Sequence, residues 1–266
     1  MRFVVNEGLF ITFEGGEGTG KSTQIKFLSK ALEDCGYDVV CIREPGGTKI
    51  GESLRDVVLK PSFESMTSEA ELFIYEAARA QIVAEVIRPA LKRGAVVLCD
   101  RFFDSTIAYQ VYGRGLDYSF VESANMVATR GLVPNRTVVL SCDAKTGLER
   151  AADRAAFDRL ESAGSDFHER VNVGFITIAE DNPERVRLIS SDGLPSVVAS
   201  RIFAELCDVF PCLANSELYM DGRFKKLDSD VLGPLGIEGM AENAQTAATR
   251  NADVPERSNK GERELG

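Results

Sequence analysis

Five short apolar runs punctuate the chain: Leu9 to Phe13, Val39 to Ile42, Ala95 to Cys99, Thr137 to Ser141 and Val186 to Ser190. Runs this short and rich in Val, Ile and Leu fit strands covered on both faces, and strands that alternate with helical stretches pair in parallel. The pattern predicts an α/β fold: a five-stranded, mostly parallel sheet with helices on both faces. A helix is expected over Lys21 to Asp34. A second starts near Ser68, where Ser68 and Glu71 have capping-box spacing, and runs toward Pro89, which should end or kink it before Gly94. Phe167, Val171, Phe175 and Ile178, at spacings of four, four and three, mark one face of a further helix, and a last helix is expected over about Pro195 to Leu206.

Beyond Cys212 the texture changes, and from Ala241 the chain is almost entirely polar or small, with no periodic apolar face. Residues 1–212 therefore read as one folded domain and residues 213–266 as a polar, disordered tail.

With 266 residues and 44% hydrophobic content the chain can bury one sizeable core. Its net charge of −10 argues against general nucleic-acid binding. The six cysteines form no C-x-x-C pair, and Cys41, Cys99 and Cys142 lie in or at the end of apolar runs. They read as reduced core thiols of a cytoplasmic protein. No apolar stretch approaches the roughly 20 residues that span a bilayer, and the N-terminus lacks the basic and apolar regions of a signal peptide. A soluble protein with no membrane partner is expected.

The chemistry begins at Gly15-Gly16-Glu17-Gly18-Thr19-Gly20-Lys21-Ser22, which fits G-x-x-x-x-G-K-[ST] between the first predicted strand and the first predicted helix. Glycines let backbone N–H groups fold around a phosphate chain, Lys21 adds a point charge, and the Ser22 hydroxyl can reach a magnesium ion. The expected ligand is a nucleoside triphosphate with Mg2+, held by Gly15 through Ser22 and Thr23. The motif alone does not separate a kinase from an ATPase or a GTP switch.

Arg43-Glu44-Pro45-Gly46-Gly47-Thr48 follows the second run, and Asp100-Arg101 the third. Ligands of open α/β sheets bind at the carboxyl ends of strands, so both segments should lie beside the phosphate loop. Asp100 sits where magnesium-associated carboxylates of such enzymes belong, and the Arg101 guanidinium can clamp a phosphate.

Glu17, Arg43 to Thr48, Tyr75-Glu76-Ala77-Ala78-Arg79, Asp100-Arg101, Ser105-Thr106-x-x-Tyr109-Gln110 and Gly113-Arg114-Gly115 stand in the order and spacing of bacterial thymidylate kinases. The resemblance covers about residues 8 to 210. It implies a phosphate-loop nucleoside triphosphate hydrolase fold and a nucleoside monophosphate kinase that phosphorylates dTMP to dTDP with ATP and Mg2+, working as a homodimer. Tyr75 and Arg79, four apart on one helix, share a face; the family uses the matching pair to stack the pyrimidine and donate to its carbonyl edge. By the same resemblance Thr106 and Gln110 touch the base, and Ser105, Glu44 and Pro45 belong to the substrate-binding set. Tyr109 crowds C2′, Glu17 approaches the sugar hydroxyl, and Arg101 holds the acceptor phosphate with Arg55 as a second cation. Ser22 and Asp100 serve the metal.

A lid is implied over about residues 150–165. There Arg154 matches the arginine that reaches the transferring phosphoryl, Arg150 lies against adenine, and Arg159 is the alternative to Arg154. Gly18 and Thr19 stand where other family members carry a basic residue in the loop. The chain departs from the family at Leu140-Ser141-Cys142, usually Leu-Asp-Val, and at Ala155-Ala156, usually Gly-Glu. Lone His168 reads as a surface or packing residue, since a dianionic acceptor phosphate needs no base. Two competing readings stay open: a kinase for another pyrimidine nucleotide or a deoxynucleoside, and a nucleotide-dependent switch.

Overall fold

β1 (Phe10–Glu14) is the middle strand of a five-stranded sheet in the order β2-β3-β1-β4-β5, formed with β2 (Val39–Arg43), β3 (Val96–Asp100), β4 (Arg136–Ser141) and β5 (Val186–Ser190). Every pairing is parallel, so the expected mostly parallel sheet is wholly so. The computed structural model describes residues 8–152, 158–214 and 228. Arg154, Ala155-Ala156 and the expected tail, apart from residues 213, 214 and 228, lie outside the described residues. The chain divides into two units, Met1–Met220 and Asp221–Gly266, and the description that follows concerns the first.

Period-two alternation along the buried strands separates two cores. Phe10, Val97 and Cys99 pack under α3 (Ser68–Ile82) and α4 (Arg88–Lys92), and Val139 under α8 (Ser165–Asp181). Ile11, Phe13, Leu98, Val138 and Leu140 are also fully buried and alternate to the opposite face, served by α1 (Lys21–Asp34) and α9 (Pro195–Leu206). Phe167, Val171, Phe175 and Ile178 are all buried on α8, as their spacing predicts. The edge strands are half-open: among the described residues β2 has a neighbour, β3, on one side alone, and Cys41 on it is exposed, contrary to its reading as a core thiol. Leu213, assigned by sequence to the tail, is fully buried in a short 3-10 turn, Pro211–Ala214.

Two details of the second predicted helix differ from expectation. Its N-cap is Thr67, whose Oγ1 accepts from the Ala70 amide at 3.3 Å. The Ser68–Glu71 capping box therefore does not form, and Glu71 is buried instead. Pro89 does not stop the helix. A π-helical turn, Val83–Ile87, absorbs the irregularity and the chain re-enters α-helix at Arg88 with the proline in the first turn, where it has no N–H to lose. A second π-helical turn, Ile107–Gly113, follows α5 (Phe103–Thr106) and carries Tyr109 and Gln110.

Candidate active site

The phosphate loop leaves the carboxyl end of β1 and feeds α1. Gly15 and Gly18 have φ of 127° and 66°, and a Cβ there would lie 2.1 Å from the Leu140 carbonyl oxygen and 1.9 Å from that of Gly147. Glycine is required at both, by conformation and by space. Lys21 is buried and donates through Nζ to the Gly15 and Gly16 carbonyls at 3.1 and 2.8 Å. Burial and the neighbouring Arg101 bring its ammonium down to about 8, against the opposing pull of Glu17, Asp100 and Glu14. Ser22 Oγ donates to Asp100 Oδ2 at 2.6 Å, joining the two residues expected at the metal.

A cavity of about 270 Å³ opens over this loop and is lined by Glu17 through Ser22, Asp100 and Arg101 among others. A second, of about 170 Å³, is lined by Tyr75, Thr106, Tyr109 and Gln110, with Glu44, Pro45, Arg55 and Ser105. Glu17, Glu44, Arg55, Arg101 and Glu161 line both. The sequence reading thus names most of both walls; Asp158, Leu160 and Glu161 fall within the expected lid span without being singled out, and Leu59 had no signal in the sequence. They reach the site from the segments after α2 (Lys49–Val58) and before α8.

On the shared wall, Arg101 Nη2 lies 2.6 Å from Glu17 Oε1, and Nη1 donates to the Gly15 carbonyl at 3.0 Å. Arg101 has φ of 69°, a left-handed conformation that costs a non-glycine residue on the order of 1–3 kcal/mol. The neighbouring Tyr109 donates its phenol to the same Glu17 oxygen at 2.8 Å, and its ring lies 5.1 Å from the guanidinium. Burial alone would raise the Glu17 carboxyl, but Arg101, Lys21 and the Tyr109 hydroxyl overcome it and hold it down to about 2. Arg55 Nη1 donates to the Pro45 carbonyl at 2.9 Å, which holds the cation in the wall of both cavities.

Arg79 is placed differently from expectation. It is 2% exposed and absent from the cavity wall that Tyr75 lines. Its Nε donates to Glu44 at 2.8 Å, and Nη1 to Glu76, to Thr106 Oγ1 at 2.7 Å and to Asn125 at 2.9 Å. Ion pairing of this kind keeps the guanidinium charged despite burial, while burial raises the Glu44 carboxyl to about 7. Arg79 therefore braces the wall from behind.

Arg159 is also no lid finger here: it is buried, donates to the Val58 carbonyl at 2.9 Å and lies 2.5 Å from Glu71. Glu71 accepts in addition from both Nε and Nη2 of Arg114, at 3.1 and 3.0 Å, and from Gln110. Arg150 stands in the last turn of α7 (Ala144–Ala152) and does not line either cavity. His168 packs edge-on against Phe167 and is buried, so it is a packing residue. At the departures on β4, Ser141 offers its carbonyl to the Ser191 amide at 2.8 Å, and Cys142 lies beneath the phosphate loop with Gly16, Glu17 and His168.

Sequence reasoning missed Glu14 and the Asp104–Arg185 pair, and took Glu71 for a capping residue. Glu14 accepts from the Phe102 amide at 2.7 Å and the Ser105 hydroxyl at 2.5 Å, and burial plus the nearby Asp104 push it up to about 8. A carboxylate closing an apolar strand was the available sign. Asp104 is bound bidentately by Arg185 at 2.6 and 2.8 Å, a long-range contact that no local spacing announces.

Comparison with known proteins gives one family. A family model described as thymidylate kinase matches residues 13–202. A thymidylate kinase of Exiguobacterium sp. is 48% identical over 185 residues, covering 70% of this chain and 87% of the relative. One of Desulfovibrio desulfuricans is 46% identical over 227 residues, covering 83% and 100%. The crystal structure of thymidylate kinase from Ehrlichia chaffeensis superposes with a TM-score of 0.61 at 32% identity, covering 75% of this chain and 99% of that one.

Proposed function

The chain belongs to the thymidylate kinase family, and from that premise we propose how its own residues divide the work of the reaction. The reaction is transfer of the γ-phosphoryl of ATP to dTMP, giving dTDP and ADP on the way to dTTP. One observation carries the division of labour: two cavities, one over the phosphate loop and one lined by aromatic and amide groups, share a wall of Glu17, Arg55 and Arg101. ATP occupies the first through Gly15 to Thr23, and dTMP the second. Their phosphates meet at the shared wall. A switch that only binds a nucleotide has no use for the second cavity.

In the acceptor cavity Tyr75 stacks on thymine, Thr106 and Gln110 face its edge, and Arg79 holds Glu44 and Thr106 in place. Tyr109, tied to Glu17, leaves no room for a 2′-hydroxyl, so selection of deoxyribose is steric. The acceptor phosphate has a second pKa of about 6 and is largely dianionic near neutrality, so no general base is needed. Catalysis reduces to alignment and charge neutralisation. Arg101 exchanges its Glu17 partner for the acceptor phosphate with Arg55 beside it, and Lys21 leaves the loop carbonyls for the phosphates of ATP. Arg154 and Arg150 are proposed to close on the donor from the lid.

A magnesium ion fits Ser22 and Asp100, a hydroxyl and a carboxylate already 2.6 Å apart. Among the described residues no group of three His, Cys, Asp or Glu side chains gathers to cage a metal. That suits an ion bound mostly by phosphates and water. When bound it supplies charge neutralisation across the transferred group.

A homodimer is supported by an exposed apolar strip on α3 and α6 (Tyr118–Thr129): Phe73 and Val127 are 55% and 78% exposed, and Phe73 meets Phe120 edge-on at 6.0 Å. The cysteines, all free thiols, support a cytoplasmic setting. No helix among the described residues is long and apolar enough to cross a membrane. We propose that the kinase domain, read as residues 1–212, works without the tail: removal of residues 215–266, which spares the buried Leu213, should leave turnover unchanged.

The test is a coupled assay of ATP consumption across dTMP, dUMP, UMP, CMP and thymidine with magnesium. Saturable consumption with dTMP, and far weaker use of the others, is expected. Absence of dTMP-dependent consumption would overturn the division of labour at its root.

A further inference from the structure

Glu71, Tyr75 and Arg79 stand four residues apart along α3 and so share one face of it. Tyr75 lines the acceptor cavity and Arg79 braces its wall. Glu71 does neither. It is 1% exposed and bound by two arginines: Arg114 bidentately at 3.1 and 3.0 Å, and Arg159 at 2.5 Å. What remains of its accepting capacity goes to Gln110, whose Nε2 donates to Glu71 Oε1 at 2.7 Å.

That bond decides which way the Gln110 amide faces. A carboxylate whose oxygens face two guanidiniums presents acceptors to its neighbours. Turning the amide over would set the Gln110 carbonyl oxygen against a carboxylate oxygen. Gln110 Oε1 has no partner among the described residues and is not a walled-off orphan, and the residue lines the acceptor cavity. The cavity is therefore offered an acceptor at this position.

We infer that Glu71 is the residue that sets base specificity: by locking the Gln110 amide it makes the pocket demand a pyrimidine with a hydrogen on N3. Thymine carries that hydrogen. Cytosine presents a lone pair at N3, which would face the Gln110 oxygen with no proton between them. A buried acceptor left unpaired is what lets a polar site reject a near-isosteric ligand strongly. Glu71 does not touch the base; it acts through Gln110 as a positioning residue, and the inference rests on dTMP occupying the second cavity.

The test compares kcat/KM for dTMP and dCMP in wild type and Glu71→Gln. A glutamine at 71 can donate to the Gln110 oxygen as well as accept from its nitrogen, so either orientation becomes available. The preference for dTMP over dCMP should narrow at least tenfold, chiefly through a gain in dCMP use. An unchanged ratio in a folded variant overturns the role of Glu71 and leaves the dTMP assignment standing. Wild type that consumes no ATP with dTMP overturns both.

If Glu71→Gln does not fold, the wild-type Gln110 side-chain amide decides. Its NMR signals, identified by their loss in Gln110→Met, should shift little when dTMP is added, because the amide nitrogen keeps its bond to Glu71. A large shift with loss of the Glu71 bond, showing the NH2 turned to the base, overturns the inference.

Discussion

Arg101 and Glu17 hold each other at 2.6 Å across the wall common to the two cavities, one supplied by the end of β3 and the other by the phosphate loop. A guanidinium parked on a carboxylate is neutralised and positioned before substrate arrives. The acceptor phosphate can take it over as a charged fork without the cost of ordering a free side chain. Arg101→Ala should lower kcat/KM for dTMP by about two orders of magnitude or more, the scale for loss of a preorganised charge donor. Arg101→Lys should recover little, because an ammonium lacks the planar fork. Steady-state kinetics with dTMP varied checks this, and near-wild-type activity of the lysine variant would dismiss the fork.

Lys21→Ala should abolish most turnover, on the order of 10²–10³-fold, and leave the fold intact. Among the described residues the ammonium is bonded only to loop groups at Gly15, Gly16 and Thr19. Melting temperature and turnover measured on the same sample separate the two effects. A variant that transfers phosphoryl groups at the wild-type rate would remove Lys21 from the site.

Tyr75 and Tyr109 should fail in different ways. Tyr75→Phe keeps the ring face and most activity, while Tyr75→Ala should cost about 1–3 kcal/mol of dTMP binding, the range of a base–aromatic stack. Tyr109→Ala should instead narrow the preference for dTMP over its ribose counterpart by letting the ribose form in. Titration of both nucleotides against both variants checks the pair, and equal losses on both sugars would overturn the split between stacking and sugar selection.

Glu14 makes stability depend on pH. Its carboxyl rises from 4.5 to about 8, through burial first and Asp104 second, so the folded state holds the proton more tightly than the unfolded one. The contribution of this group is most favourable below pH 4.5 and is lost as pH climbs through about 8. Glu14→Gln should flatten the fall in melting temperature between those limits and raise it at the alkaline end. Thermal melts of both proteins at matched pH values check this; parallel curves would show that Glu14 titrates normally.

The sequence by itself determined what is local. Alternation of short Val- and Ile-rich runs with helical stretches made the parallel sheet legible, because strands buried on both faces must be continuously apolar. Glycine spacing from Gly15 to Gly20 announced the phosphate loop, since only glycine tolerates the φ values and the approach of the Leu140 and Gly147 carbonyls found there. Four-residue spacing put Tyr75 and Arg79 on one helical face.

Only the tertiary structure decided which of those side chains face a cavity and which face each other. Arg79 turns into a buried cluster with Glu44 and Asn125, 35 and 46 positions away, and Arg159 spends its charge on Glu71. Charge alone does not say whether an arginine meets a ligand or a carboxylate. The answer lies in long-range packing, where a buried charge must find a partner and takes whichever the fold brings within reach. The same holds for Glu71, which reads as a helix cap in the sequence and becomes, once Gln110, Arg114 and Arg159 converge on it, the fixed point behind the acceptor cavity.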